Sequence, residues 1–412
     1  MDAQVKFTLL SPRNGEIDAL RQCLGAPNNR SLFPSHFLKA TFSRLGGRMV
    51  GAEAGGNLVG VGFLFPRGVE GRSRCYTLRF HRIGEGVLDE AAVVGGVEAL
   101  LDDSDRVVFY DACVAQRYEV SYREFEGVEV GTPSADEALA IPQLQRAIWG
   151  GDLDSLYPAD VYSTDFHAGT SLVARCDGML VGFLVGFYRF GGIPQLPDVW
   201  KSIGGRGDFR LESQLLGVLR SHRGSNIGFL LKRVQAERAQ SEGIGVVHWT
   251  VDPLQFANAR LNFGRLGAVA ADFYRDYYSF RNELNRVSAS RLGITWLINS
   301  ERVSDALAGE RGGGVVDLAG NGAIRRFDGG IGGVELHPGD GVVAIEVPGD
   351  WTALQRVDLG SAVRWRGATD RFFERYLGWE VGQYMITGVG VDGVRRYLIA
   401  ERVSKGMLEG LV

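Results

Sequence analysis

Cysteine is scarce in this chain: four in 412 residues, Cys23, Cys75, Cys113 and Cys176, far apart and without paired spacing. That pattern excludes a disulfide framework and a cysteine zinc site, and it fits a reducing, cytoplasmic setting. No stretch reaches the roughly eighteen uncharged apolar residues of a membrane span, and the opening MDAQVKFTLLSPRNGE has no apolar export core. Concentrated basic charge is missing too. The net charge is -4 and the pI is near 6.0, and Lys and Arg are scattered, which excludes a nucleic-acid footprint. The six histidines, His36, His81, His167, His222, His248 and His337, show no pair at metal-ligand spacing, so no metal is expected.

What is present is the balance of a soluble globular chain, 45% hydrophobic and 23% charged, long enough for two or three domains. The 58 glycines fall between apolar runs rather than at a fixed short period, which implies many turns. One patch, AGERGGGVVDLAGNGA from Ala308 to Ala323, reads as a loop.

A long repeat organises the first 298 residues. AEAGGNLVGVGFLF from Ala52 and ARCDGMLVGFLVGF from Ala174 each read as a hairpin with a glycine turn. A strand follows each, CYTLRF at Cys75 and ESQLLGVL at Glu212, then a His-Arg-containing glycine turn and a helical pattern. Buried strands close both, RVVFYDA at Arg106 and GVVHWTVD at Gly245. The expected fold class is α/β with a mixed, mostly antiparallel sheet, built as a tandem pair of units over 1–130 and 131–298. TPSADE supplies an N-cap and early acids for a helix at the junction. The rest, 299–412, reads as an α+β extension in which RWRGATDRFFERYLGWEV forms a helix and VGQYMITGVGVDGVRRYLIAER a hairpin.

The chemistry centres on HRGSNIGFLLK, His222 to Lys232. A strand, a glycine-containing loop and a helix start expose backbone N–H groups where the helix dipole favours an anion. Gly224 and Gly228 permit close approach of a diphosphate, and Asn226 is one of the few non-glycine residues that tolerate a left-handed backbone. A capped turn without ligand is the plain alternative.

LLGVLRSHRGSNIGFLLKRVQ and WTVDPLQFANARLNFGRLGA together resemble the two signature regions of the GNAT acyl-CoA N-acyltransferases. Within that superfamily the similarity runs toward the GNAT-related family associated with N-acylamino-acid racemases, over about residues 140–412, which leaves the first copy as an additional, degenerate GNAT-like unit. The resemblance implies a GNAT fold and an acetyl-CoA or other acyl-CoA co-substrate. The coenzyme diphosphate would be cradled by Arg223, Gly224, Ser225, Asn226, Ile227 and Gly228, with Asn258 on the second signature helix and the backbone of Leu216, Gly217 and Val218 gripping the pantetheine. It also implies direct attack of a small amine, an amino acid above all, on the thioester. Glu212 is the candidate general base, with a surface Glu as the plain alternative. The tyrosine that many members place after Asn258 is Phe263 here, and Phe cannot protonate a thiolate. Tyr274, in DFYRDYYSF with Tyr277 and Tyr278, is the candidate substitute, against ordinary packing.

In the first copy Glu85 and Asp89 put acids at the corresponding turn, which implies a structural role. On the C-terminal helix Arg364, Arg366, Arg371 and Arg375 form either a solvated face or a clamp for an acceptor carboxylate. Acylation of a protein or antibiotic-like amine, and a binding-only acyl-CoA scaffold, stay open beside the amino-acid reading. The partners implied are a small-molecule amine and no membrane or nucleic acid; a homodimer is compatible with the sequence.

Overall fold

The computed structural model describes residues 5–84, 88–151, 153–192, 195–205, 207–278, 285–309, 314–320, 322, 324–327, 336 and 340–412. The expected Glu85 and His337 lie outside these, as does part of the 308–323 loop. By its internal contacts the chain divides into one unit of 1–191 with 208–242, and another of 192–207 with 243–412. This differs from a division at 130 and 298, because packing follows the shared core described next rather than the sequence repeat.

The first copy begins with β1 (Lys6–Leu10), α1 (Asn14–Cys23) and α2 (Ser35–Phe37), which runs on through a π-helical turn at Leu38–Phe42 and a 3-10 turn at Ser43–Leu45. β2 (Arg48–Ala54), β3 (Asn57–Glu70), β4 (Ser73–Arg82), α3 (Glu90–Glu98) and β5 (Arg106–Tyr110) complete it. The expected hairpin is β2 with β3, and its turn residues Gly55 and Gly56 both take positive φ, as a tight mirror-image turn requires. The sheet order is β1-β2-β3-β4-β5, antiparallel except for the β4–β5 pair.

The second copy carries β6 (Tyr122–Phe125), β7 (Val128–Gly131), α4 (Ala135–Trp149), β8 (Gly169–Cys176) and β9 (Met179–Phe190). Ser134 caps α4 and exchanges hydrogen bonds with Glu137, so the TPSADE signal performs as expected. The chain then leaves for the second unit over 192–207, which holds α5 (Asp198–Lys201), and returns as β10 (Phe209–Val218) and α6 (Ile227–Ser241). The strands pair antiparallel in the order β10-β9-β8-β7-β6.

The two copies close over one aromatic core. Phe33 and Phe37 of the first lie 5.8 and 5.3 Å from the Tyr157 ring of the second, and Phe65 lies 5.1 Å from Phe166. The fully buried Arg79 of β4 donates to both carboxylate oxygens of Asp160 and to the Ser31 carbonyl, and Tyr110 donates to the same aspartate at 2.7 Å.

The second unit contains β11 (Val246–Val251), α7 (Phe256–Ala259) with a π-helical turn at Arg260–Arg265, β12 (Val269–Tyr278), β13 (Ala289–Leu297) and α8 (Glu301–Ala308). Next come β14 (Val315–Asp317), β15 (Arg325–Phe327), β16 (Val342–Val347), α9 (Trp351–Val357) and α10 (Leu359–Tyr376). The expected C-terminal hairpin is β17 (Tyr384–Asp392) with β18 (Arg395–Arg402), before α11 (Lys405–Glu409). Its strands run β15-β16-β18-β17-β12-β13-β11, with β14 on β17. The α/β class with mixed, mostly antiparallel sheets is therefore what the chain adopts. Among the described residues no helix is long and apolar enough to cross a membrane.

Candidate functional site

β10 positions the site in the first unit. It pairs with β9 in regular antiparallel register from Phe209 to Ser213, opposite Gly186, then slips so that Leu215 faces Val185. Gln214 is thus the extra residue of a β-bulge, a device that kinks a strand and re-aims its backbone. Beyond it Leu216, Gly217 and Val218 pair with Leu184, Phe183 and Gly182. A Cβ on Gly217 would sit 2.6 Å from the Phe183 ring and 2.9 Å from Ile148, so only glycine fits there.

Pairing ends where the Leu219 amide bonds Val181 O, and a 3-10 turn at Arg220–His222 leads into the loop. Arg223 Nε folds back onto Val218 O at 3.3 Å, and Ser225 Oγ donates to His222 O. Gly224 has φ 86° and Asn226 has φ 70° with ψ -5°, the left-handed geometry expected of it. Asn226 is the N-cap residue of α6 without a side-chain cap bond; its carbonyl accepts from the amides of Phe229 and Leu230 at 3.0 and 3.1 Å. Among the described residues no acceptor meets the amides of Gly224, Ser225, Ile227 or Gly228. Residues 223–226 are exposed. Unfilled N–H groups at the start of a 15-residue helix are a geometry that suits an anion.

In the first copy the same place is filled from within. The Asp89 carboxylate accepts the Ala92 amide at 3.1 Å and occupies the start of α3. β4 and β5 are also hydrogen-bonded residue by residue from Cys75 with Arg106 to Arg79 with Tyr110, which leaves no gap between those strands for a pantetheine arm.

Glu212 is buried, 1% exposed. Arg44 Nη2 donates to one carboxylate oxygen at 2.7 Å and Arg189 Nη1 to the other at 2.9 Å. A general base must turn an open lone pair to the ammonium. Each oxygen accepts one guanidinium bond and keeps a further lone pair, so Glu212 is an ion-pair centre joining the Ser43–Leu45 turn to β9 and β10. Gln214 beside it donates to Thr41 Oγ1 at 3.4 Å.

Sequence reasoning missed Lys232. On α6 it is 3% exposed, and its Nζ donates to Ser213 Oγ at 2.7 Å and to Gln235 Oε1 at 3.3 Å. Burial holds the amine well below the usual lysine range, with the charge of Glu212 opposing it. The available signal was the breadth of apolar neighbours, FLLK followed by V and A, which marks a helix buried on more than one face.

The other expected residues lie in the second unit. Asn258 is exposed on α7, Phe263 is buried, and Tyr274 is 39% exposed on β12 with its ring 5.7 Å from Tyr277. The four C-terminal arginines part company: Arg364, Arg371 and Arg375 are exposed, whereas Arg366 is buried and donates to Asp252 at 2.7 Å. The solvated-face reading therefore covers three of them, and Arg366 is a core ion-pair residue.

Among solved structures the chain is similar to Arabidopsis thaliana Naa50 in complex with the bisubstrate analogue CoA-Ac-MVNAL, at 15% identity, over 41% of this chain and 97% of that one, with TM-score 0.31. It is similar to the ribosomal-protein-S18-alanine N-acetyltransferase of Escherichia coli at 10% identity, covering 42% and 94%, TM-score 0.32. It is also similar to yncA, a putative acetyltransferase of Salmonella typhimurium with acetyl-CoA, at 16% identity, covering 42% and 95%, TM-score 0.31. No protein-family description and no curated protein matches the sequence.

Proposed function

We propose that the chain is an acyl-CoA-dependent N-acyltransferase of the GNAT type, acting on a small amine and by preference an amino acid. The observation that carries this reading is the set of open amides of Gly224, Ser225, Ile227 and Gly228, at the end of a bulged strand and at the start of α6. A coenzyme diphosphate suits those amides, and an arm laid back along β10 from the loop brings a thioester toward the bulge at Gln214. Arg223, Ser225, Asn226 and Ile227 shape the cradle, and Leu216 to Val218 offer backbone to the pantetheine. The amine attacks the thioester carbonyl carbon, the C–S bond breaks, and the thiolate leaves as thiol once it takes a proton.

A binding-only acyl-CoA protein is the second reading, favoured by the buried Phe263 and by the arginine-bound carboxylate of Glu212. Thiol release with acetyl-, propionyl- and succinyl-CoA crossed with amino acids separates the two. Turnover with one acyl-CoA and free amino acids supports the enzyme, and tight acetyl-CoA binding with no thiol release for any amine supports the scaffold.

A further inference from the structure

Further along α6 the first unit carries a second polar recess. Val234, Glu237, Arg238 and Ser241 recur at spacings of three and four, so they share one face of the helix. Ser121, Tyr122 and Arg123, at the start of the outermost strand β6, stand against that face with Val130 of β7, which is opposite Arg123 in register. Together they line a cleft of about 240 Å³. We infer that this cleft is a binding site for a small organic monocarboxylate, held by the Arg238 guanidinium. The inference stands apart from the acyltransferase reading, because Arg238 lies ten residues beyond Gly228, about 15 Å along the helix.

The charges at the cleft are matched except for one. Glu237 accepts from Arg123 Nη1 through one oxygen at 2.7 Å and from Arg233 Nε through the other at 3.3 Å. Both guanidinium groups also lie against the Phe125 ring, 4.5 and 5.7 Å from its centre. Arg238 has no such pairing: among the described residues its guanidinium makes no hydrogen bond and no ion pair. The charge of Glu242, one turn on, acts on it, but that carboxylate is bound by the Tyr188 hydroxyl at 2.7 Å. Arg238 is half-buried, and burial works against its charge. A guanidinium partly withdrawn from water without an acceptor carries a desolvation cost, which an anion in the cleft would offset.

The lining selects the kind of anion. A guanidinium fork matches a carboxylate with two parallel hydrogen bonds. A phosphate dianion would face Glu237 and Glu242 with a single unmatched cation to balance it, so one negative charge suits the cleft better. Ser121 bonds Thr132 through its backbone alone, which leaves its hydroxyl to donate to the ligand. Ser241 Oγ spends its proton on Arg238 O at 2.8 Å and can only accept. The buried Val130 and Val234 and the exposed Tyr122 ring give the cleft an apolar lining for the carbon body of the ligand. The volume is below the roughly 300–1,000 Å³ of drug-sized sites, which sets the ligand at the size of benzoate or hexanoate.

Ligand-observed NMR of benzoate and hexanoate, titrated with the full chain, tests this. Saturable binding of at least one acid is expected, with a Kd of about 1 mM or lower. Benzamide, which keeps the ring and loses the charge, should bind about tenfold more weakly or worse than benzoate. Arg238→Gln should weaken carboxylate binding by about tenfold or more, and Arg238→Lys should recover only part of it, since an ammonium lacks the planar fork. Ser121→Trp fills the cleft from its exposed rim and should abolish binding, whereas Arg364→Ala, an exposed arginine of the other unit, should leave it at the parental value. Undiminished binding by a folded Arg238→Gln, equal affinity for benzamide and benzoate, or no saturable binding of either acid would overturn the inference. Undiminished binding by Ser121→Trp would do so even where Arg238→Gln fails to fold. No coenzyme enters these titrations, so a negative result leaves the acyltransferase reading intact, and failure to bind acetyl-CoA leaves this inference intact.

Discussion

Removing Arg79 tests whether the first copy is part of the fold that holds the site. Its guanidinium is completely buried, donates to both oxygens of Asp160 and to Ser31 O, and lies 5.4 to 5.7 Å from the centres of the Phe33, Tyr110 and Phe166 rings. Arg79→Met replaces the stem but leaves the Asp160 carboxylate, 15% exposed, with the Tyr110 hydroxyl as its side-chain donor. Breaking a buried pair from one side costs about 3–5 kcal/mol. In a unit of this size each kcal/mol moves Tm by roughly 2–4 °C, so a fall of roughly 6–20 °C follows from that range. Asp160→Leu alone should cost a similar amount by stranding Arg79, but Arg79→Met with Asp160→Leu should cost clearly less than the sum, because no charge is left unpaired. Urea unfolding followed by tryptophan fluorescence and circular dichroism gives the three values. A change below about 1 kcal/mol for Arg79→Met, or strict additivity in the double variant, would refute the reasoning.

Asn226→Gly should leave stability and acetyl-CoA affinity near parental values, while Asn226→Val, which resists the left-handed geometry, should lose about 1–2 kcal/mol of stability by urea titration. Asp370 accepts a hydrogen bond from the Ser290 hydroxyl at 2.8 Å, and burial pushes its carboxyl up to about 6 although Arg366 opposes it. An acid whose folded value is raised binds its proton more tightly folded than unfolded, so its contribution is present at low pH and lost as pH rises from about 4 through about 6. The pH dependence of unfolding should show that decline, and Asp370→Asn should flatten it. Arg366→Ala should destabilise by about 3–5 kcal/mol by stranding Asp252; Arg364→Ala and Arg371→Ala, on the exposed face, should each stay within about 0.5 kcal/mol by the same measurement.

Local chemistry was legible wherever a backbone rule applies. The hairpin at Gly55–Gly56, the Ser134 cap, the helix at Ile227 and the positive φ of Asn226 follow from residue type and spacing alone. Long-range partners were not. Arg44 meets Glu212 across 168 residues, and nothing in ESQLLGVL announces a guanidinium on either side of that carboxylate. The division of the chain was hidden for the same reason, since aromatic side chains from both copies interdigitate in one core while the sequence repeat suggests separable parts. Lys232 was hidden by convention: a lysine in a helix reads as a solvated position, and only tertiary packing puts it under β10 beside Ser213.

The central claim, an acyl-CoA site on the loop before α6, is tested most directly by calorimetric titration of acetyl-CoA into the parent and Gly228→Asp. An aspartate in the first turn of α6 suits the helix dipole, so the variant should fold, while its charge and bulk oppose a diphosphate on the same amides. The account predicts saturable binding by the parent and a loss of tenfold or more, about 1.4 kcal/mol, in Gly228→Asp. Equal affinity in the two proteins, or no binding by the parent, would contradict it.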